Sequence, residues 1–272
     1  MIEFKNHDLL KTFGGIYDGA ALRSSSRIQF APLVRTFSVP PNTRSAMPNR
    51  QNIKLDRNTE SLRDIVLRMA ALAELILDKS LRAVWERSES LCAEVREDDL
   101  EIDRLDIDID DAVLRILALD APVANDLRLV VAIKSIATDL ERVGDLARNI
   151  AGCALRLAQR SELSLPARLY AMADESREAL RAAIKAFTDL DATAARAVLE
   201  GDDRIDDQER RIVSESIERL AAAPQTSEQE IDLIFIARTL ERVGDHATNI
   251  AEEVVLAAEA TNLKHATKLE AD

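Results

Sequence analysis

The chain has 272 residues, 47% of them apolar but only 3% aromatic, enough for one large or two modest domains with a sizeable core. Ala, Leu, Arg, Glu and Asp predominate, a mixture that suits helices and serves sheets poorly, because strands favour β-branched and aromatic side chains. The net charge of −13 is uneven: residues 1–57 hold nine Lys/Arg against four Asp/Glu, and residues 58–272 hold 27 against 45. That acidic body repels nucleic acid backbones and excludes sequence-independent DNA binding, while it favours cations. No run of 18 apolar residues occurs, so no segment reads as a transmembrane helix. Cys92 and Cys153 form no short pairing motif. They read as structural thiols of a reducing compartment, and the protein as cytoplasmic.

In chain order, Pro32, Pro40, Pro41, Pro48 and the Ser24-Ser25-Ser26 run make residues 1–57 a basic extension without a sustained helical period. It reads first as a dispensable extension, or as sequence upstream of a start at Met47, ahead of an organelle transit peptide. Beyond it only Pro122, Pro166 and Pro224 remain, and each marks a helix boundary. Apolar spacing from Leu62 to Ile76 predicts a helix over about 59–88, followed by others over about 90–119 and 122–159. After the break at 161–166 come three more, over about 167–190, 192–222 and 227–260. Ser227 with Glu230 has the form of a capping box. The expected fold is all-α: residues 58–160 and 166–262 as two three-helix bundles.

The strongest feature is an internal repeat. Residues 140–151 read Leu-Glu-Arg-Val-Gly-Asp-Leu-Ala-Arg-Asn-Ile-Ala, and residues 240–251 differ only at His246 and Thr248. Upstream, Asp99 and Asp103 match Asp202 and Asp206, and Pro122 matches Pro224. A three-helix unit of about one hundred residues is therefore present twice. Gly144 and Gly244 fall inside the repeated segment, where glycine costs a helix roughly 1 kcal/mol relative to alanine. Close approach of another helix, or of a ligand, would offset that cost.

Glu141 and Asp145, like Glu241 and Asp245, are four residues apart and share one helix face. Asn149 and Asn249 extend each stripe with a possible carbonyl ligand. If the helix bearing Asp99 and Asp103 packs beside Glu141 and Asp145, and that bearing Asp202 and Asp206 beside Glu241 and Asp245, four carboxylates converge in each unit. Surface salt bridges from Arg142, Arg148 and Arg242, each worth around 0–1 kcal/mol, would account for the charges of a single copy. Two copies with matched acids favour a metal site. Oxygen-only donors suit magnesium, calcium or manganese and are compatible with iron. His7, His246 and His265 form no Glu-x-x-His pair, and His246 reads as a solvent-facing or interface residue. No phosphate loop, catalytic triad or zinc-type Cys/His cluster is present, so no catalytic or cofactor-binding residue is assigned.

The paired Leu-Glu-Arg-Val-Gly-Asp segments, each preceded by Asp-x-x-x-Asp, resemble the PhoU family of bacterial phosphate-signalling regulators. Pro122-Val-Ala-Asn-Asp-Leu-Arg128 resembles it too. The resemblance covers about 58–260. It implies two three-helix bundles related by a pseudo-twofold axis and no enzymatic activity. It also implies iron, zinc or other divalent or trivalent ions on Asp99, Asp103, Glu141, Asp145, Asp202, Asp206, Glu241 and Asp245. By the same resemblance the protein would be a cytoplasmic homodimer. It would act with the phosphate ABC transporter and a sensor histidine kinase to silence the phosphate-starvation response and modulate phosphate uptake. A carboxylate-bridged metalloenzyme and a metal-independent helical scaffold are the alternatives. Residues 1–57 lie outside the family pattern, and the second copy lacks a close match to residues 122–128.

Overall fold

A computed structural model of the protein describes residues 50–161 and 163–263, all within one compact unit. The reading of the leader, Met47 included, and His265 lie outside the described residues. Among the described residues seven α-helices follow in order: α1 Arg50–Glu86, α2 Glu89–Leu119, α3 Asn125–Ala158, α4 Ala167–Asp189, α5 Ala192–Leu199, α6 Asp203–Ala222 and α7 Ser227–Glu259. No strand occurs among the described residues. Helices α1 to α3 make the first three-helix unit, and α4, the α5/α6 pair and α7 make the second.

Three expectations need correction. Helix α1 begins at Arg50, so the boundary at residue 57 falls inside a helix; Lys54 and Asn58 anchor that first part to Asp120 at 3.0 and 2.6 Å. The single helix expected over 192–222 is two, broken at Glu200-Gly201-Asp202, where glycine and two adjacent acids replace the continuous Asp98-Asp99 stretch of α2. The capping box is absent as well. Thr226 holds the N-cap position of α7 without a side-chain cap, and buried Glu230 accepts from Arg219 Nε at 2.8 Å instead. The caps that do form are Ser88, accepting from Leu91 N at 3.3 Å, and Asp191, accepting from Thr193 N and Ala194 N. Both satisfy amides that a helix start leaves open.

Burial follows the apolar spacing of α1 at Leu62, Met69 and Ile76, with Ile65 and Leu72 partly buried, whereas Leu100 on α2 faces outward. Ile102, Ile109, Ile133 and Leu140 are fully buried in the same continuous core, joined by Phe187, Ile236 and Ile250 of the second unit. The two units meet along α3 and α7, which run antiparallel: Asp139 meets His246 and Asn249 near one end, and Arg156 meets Asp232 near the other. They also meet along α1 and α4, where Trp85 stacks on Tyr170 at 4.2 Å and Arg63 lies over Phe187. Asp232, almost wholly buried, accepts from Arg156 Nε at 2.8 Å and from Arg160 Nη1 at 2.7 Å.

The glycines mark closest approach. A Cβ on Gly144 would lie 3.0 Å from Asp99 Oδ1 and 3.1 Å from Ile102 Cδ1; one on Gly244 would lie 3.0 Å from Ile205 Cδ1. Of the two explanations left open for these glycines, the neighbouring helix is the one observed. Because Asp99 is itself pinned by Arg148 at 2.7 Å, Gly144→Ala is expected to destabilise by about 1 kcal/mol, overpacking exceeding the helix-propensity gain. Gly244→Ala, which presses on the Ile205 tip but stays 3.7 Å from Asp202 Oδ1, is expected to lose less. Urea unfolding of the two variants measures the difference.

Candidate metal-binding patches

The helix approach at each glycine sets the Asp-x-x-x-Asp helix beside the Glu-x-x-x-Asp helix in both units. In the first, Asp99 is buried, while Asp103 is exposed and Glu141 and Asp145 are partly covered. In the second, Asp202, Asp206 and Glu241 are partly covered and Asp245 is exposed. The expected juxtaposition of helices is thus present twice. Among the described residues, however, no three His, Cys, Asp or Glu side chains are arranged to hold a metal ion.

The two patches differ in their cations. Arg148 bridges the first, its Nη1 donating to Asp99 at 2.7 Å and its Nη2 to Asp145 at 2.5 Å. Arg142 lies 3.6 Å from Asp145 and 3.5 Å from Glu141. Lys134 holds Asp106 and Asp110 a turn further on, at 3.1 and 2.5 Å. Burial raises Asp99 above the usual carboxylate range, opposed chiefly by Arg148; burial and Asp145 raise Glu141.

In the second patch Thr248 stands where Arg148 does and Ile234 where Lys134 does. Asp202, Asp206 and Glu241 make no salt bridge with a lysine or arginine among the described residues. Burial, reinforced by Asp206 and Asp245, pushes the Asp202 carboxyl up to about 6. Burial followed by Asp245, Asp206 and Glu209 pushes Glu241 up to about 7. Those values record uncompensated negative charge in a partly desolvated place.

Glu209 is a member that sequence reasoning passed over. It lies one turn beyond Asp206, in the register that Asp106 holds after Asp103, so the acidic spacing carried the signal. Neither asparagine joins a patch. Asn249 donates to Asp139 at 3.2 Å across the α3–α7 contact, and Asn149 lines a groove between those helices. Eight residues advance a helix face by about 80°, which turns both amides away from the glutamate a stripe begins with. His246 Nδ1 lies 2.8 Å from Asp139 Oδ1, the interface position expected of it. Cys92 and Cys153 are free and buried, and burial pushes the Cys153 thiol up to about 11, an unreactive, structural thiol.

Comparison with known proteins places this arrangement. The PhoU domain model matches residues 66–154 and again 169–254. The chain belongs to the PhoU family. It is 33% identical over 207 residues to the phosphate-specific transport system accessory protein PhoU homolog of Pseudomonas putida, covering 76% of this chain and 81% of that protein. The homolog of Zymomonas mobilis is 33% identical over 213 residues, 78% of this chain and 90% of that one. The crystal structure of PhoU from Pseudomonas aeruginosa superposes with a TM-score of 0.74 at 30% identity, covering 76% of this chain and 99% of that chain. The two PhoU matches coincide with the two acidic patches and their glycines.

Two outcomes follow from the patch electrostatics. Asp202 and Glu241 have folded-state values above those of the unfolded chain. The folded protein therefore binds more protons between about pH 4 and 7, and stability without metal rises as pH falls through that window. Thermal unfolding in chelator from pH 8 to 5 should show this rise, flattened in the Asp202→Asn/Glu241→Gln variant. Separately, Arg148→Ala leaves Asp99 buried without its cation and is expected to cost on the order of 1–3 kcal/mol by urea unfolding.

Proposed function

We propose that this PhoU-family protein is an accessory regulator of phosphate transport. It couples a phosphate ABC transporter to a sensor histidine kinase, represses the phosphate-starvation response and moderates phosphate uptake, without catalysing a reaction. The relatives' names, accessory proteins of the phosphate-specific transport system, support the transport link. No described helix is long and apolar enough to cross a membrane, so a role at a transporter would run through contact with it.

A contact surface suited to a protein partner is present on α2. Leu100, Ile107 and Leu114, spaced by seven residues, are 54%, 63% and 64% exposed and form one outward stripe. The equivalent positions of the second unit are Asp203, Arg210 and Ile217. This exposed apolar line on α2, which α6 matches only at Ile217, is the single observation that most favours an adaptor over a self-contained scaffold.

Metal binding belongs to the same reading. The donor set is carboxylate in both patches and suits a hard or borderline cation such as magnesium, manganese, iron or zinc. The second patch fits better, since Asp202, Asp206 and Glu241 carry charge that no lysine or arginine salt bridge offsets among the described residues. In the first patch Arg148 already neutralises Asp99 and Asp145, so a metal on Asp99, Asp103, Glu141 and Asp145 would have to displace a guanidinium. Closing either patch on an ion requires side-chain rotation. A homodimer and a cytoplasmic location accord with this proposal.

The regulatory reading is tested by alkaline phosphatase activity in phosphate-replete cells lacking the gene. High activity that the wild-type gene reverses, and that a Leu100→Asp/Ile107→Asp/Leu114→Asp variant fails to reverse while still folding, is the expected result; activity that stays low in the deletion rejects the repressor role. For the metal, elemental analysis of purified protein is expected to show bound ion that falls when Asp202, Asp206, Glu241 and Asp245 become Asn or Gln. Unchanged content in that folded variant would move the ion elsewhere.

A further inference from the structure

The near-twofold contact between α3 and α7 has two equivalent ends, and their chemistry differs. At one end a half-open groove of about 530 Å³ is lined by Arg148, Asn149 and Arg156 from α3 and by Phe235, Arg238 and Arg242 from α7, with no acidic side chain in its lining. At the other end, the same register places Thr248, Leu256 and Thr138 where three of those arginines stand, keeps only Arg142, and brings in Asp139 and Glu252. Four guanidinium groups at one end and mixed acid at the other are a property of these side chains and not of the repeated fold. In a body whose residues 58–272 hold 27 basic and 45 acidic side chains, this concentration stands out.

Two of the four arginines are committed. Arg156 is held by Asp232, and Arg148 by Asp99 and Asp145. Arg238 Nε lies 3.6 Å from Glu209, a longer pairing than those of Arg148 and Arg156, and Arg242 makes no ion pair among the described residues. They are four residues apart on one face of α7, so their charges repel until an anion is shared between them. Phe235, one turn before Arg238, is 54% exposed within the same groove. Planar guanidinium forks match phosphate oxygens, and an exposed aromatic face offers a stacking platform for a base. The volume is that of an organic ligand site and would be left largely empty by a lone phosphate ion.

We propose that this groove binds a phosphate-bearing organic anion of the nucleoside-phosphate class, its phosphates on Arg238 and Arg242 and its ring against Phe235. The site borders the second carboxylate patch through the Arg238–Glu209 pair and does not depend on the regulatory reading above. Titration calorimetry of the full chain with ADP and ATP, in chelator so that the acidic patches contribute no metal bridge, tests it. Saturable binding is expected, weakened about tenfold or more in Arg238→Ala/Arg242→Ala, as loss of two charge-assisted contacts requires, and weakened several-fold in Phe235→Ala. All three side chains are exposed, and unchanged thermal unfolding of the variants confirms that they fold. Absence of saturable binding, or binding indifferent to the double variant, would overturn the proposal. So would inorganic phosphate binding as tightly as ADP, which would leave the ring no role. An acidic peptide bound in the groove where ADP is not would assign it to a protein partner and overturn the proposal equally.

Discussion

The close approach of α2 to α3 at Gly144, and of α6 to α7 at Gly244, is the constraint on which the rest of the molecule depends. Bare backbone leaves Ile102 and Ile205 room that a side chain would take: a Cβ on Gly144 or Gly244 would lie 3.1 or 3.0 Å from the isoleucine Cδ1. That seating fixes the rotation of the helix carrying each Asp-x-x-x-Asp pair. The carboxylates consequently stand beside Glu141 and Asp145, or Glu241 and Asp245, because the apolar side chain between them has nowhere else to go. An acidic patch on each unit is thus a consequence of core packing, and the cost of glycine in two long helices is offset there.

From this common frame the chemistry of the two patches diverges at a few matched positions. Arg148 against Thr248 makes one patch an ion-paired network and leaves Asp202 and Glu241 of the other without a salt bridge among the described residues. The same arginine also borders the groove between α3 and α7, so a single side chain neutralises the carboxylates on one flank of α3 and contributes positive potential on the other. His246, its partner difference in the repeat against Leu146, is spent on the α3–α7 contact through Asp139. Duplication supplied the backbone, and divergence at the matched positions assigned different chemistry to each copy.

The surface follows the same logic. Leu100, Ile107 and Leu114 leave an apolar line on α2, whereas α6 is charged at two of the three equivalent positions and is separated from α5 by a break at Gly201. A molecule built on one repeated helical plan therefore presents three unlike features: an apolar stripe on the first unit, a carboxylate patch on the second, and an arginine groove at their junction. Such differentiation suits a protein that meets more than one kind of partner.

Much of this was legible in the residues. The all-helical fold followed from composition, the helix ends from three prolines, and the twofold organisation from two segments that differ at two positions, because each of these signals is local and acts through backbone preference. Legible too was the four-residue spacing of the paired acids, which sets each pair on one helix face. Three local rules were overridden by tertiary contacts. Glu230 left its expected cap for Arg219, residues 50–57 extended α1 because Asp120 holds Lys54 and Asn58, and Asn149 and Asn249 rotated out of the acidic stripes with the helix period. The sequence by itself determined which side chains share a helix face. Only the tertiary structure decided which faces meet, that Arg148 spans Asp99 and Asp145 across 49 and three residues of chain, and that four arginines from two repeats line one groove, because those relations join residues far apart in the chain and exist only once the helices have packed.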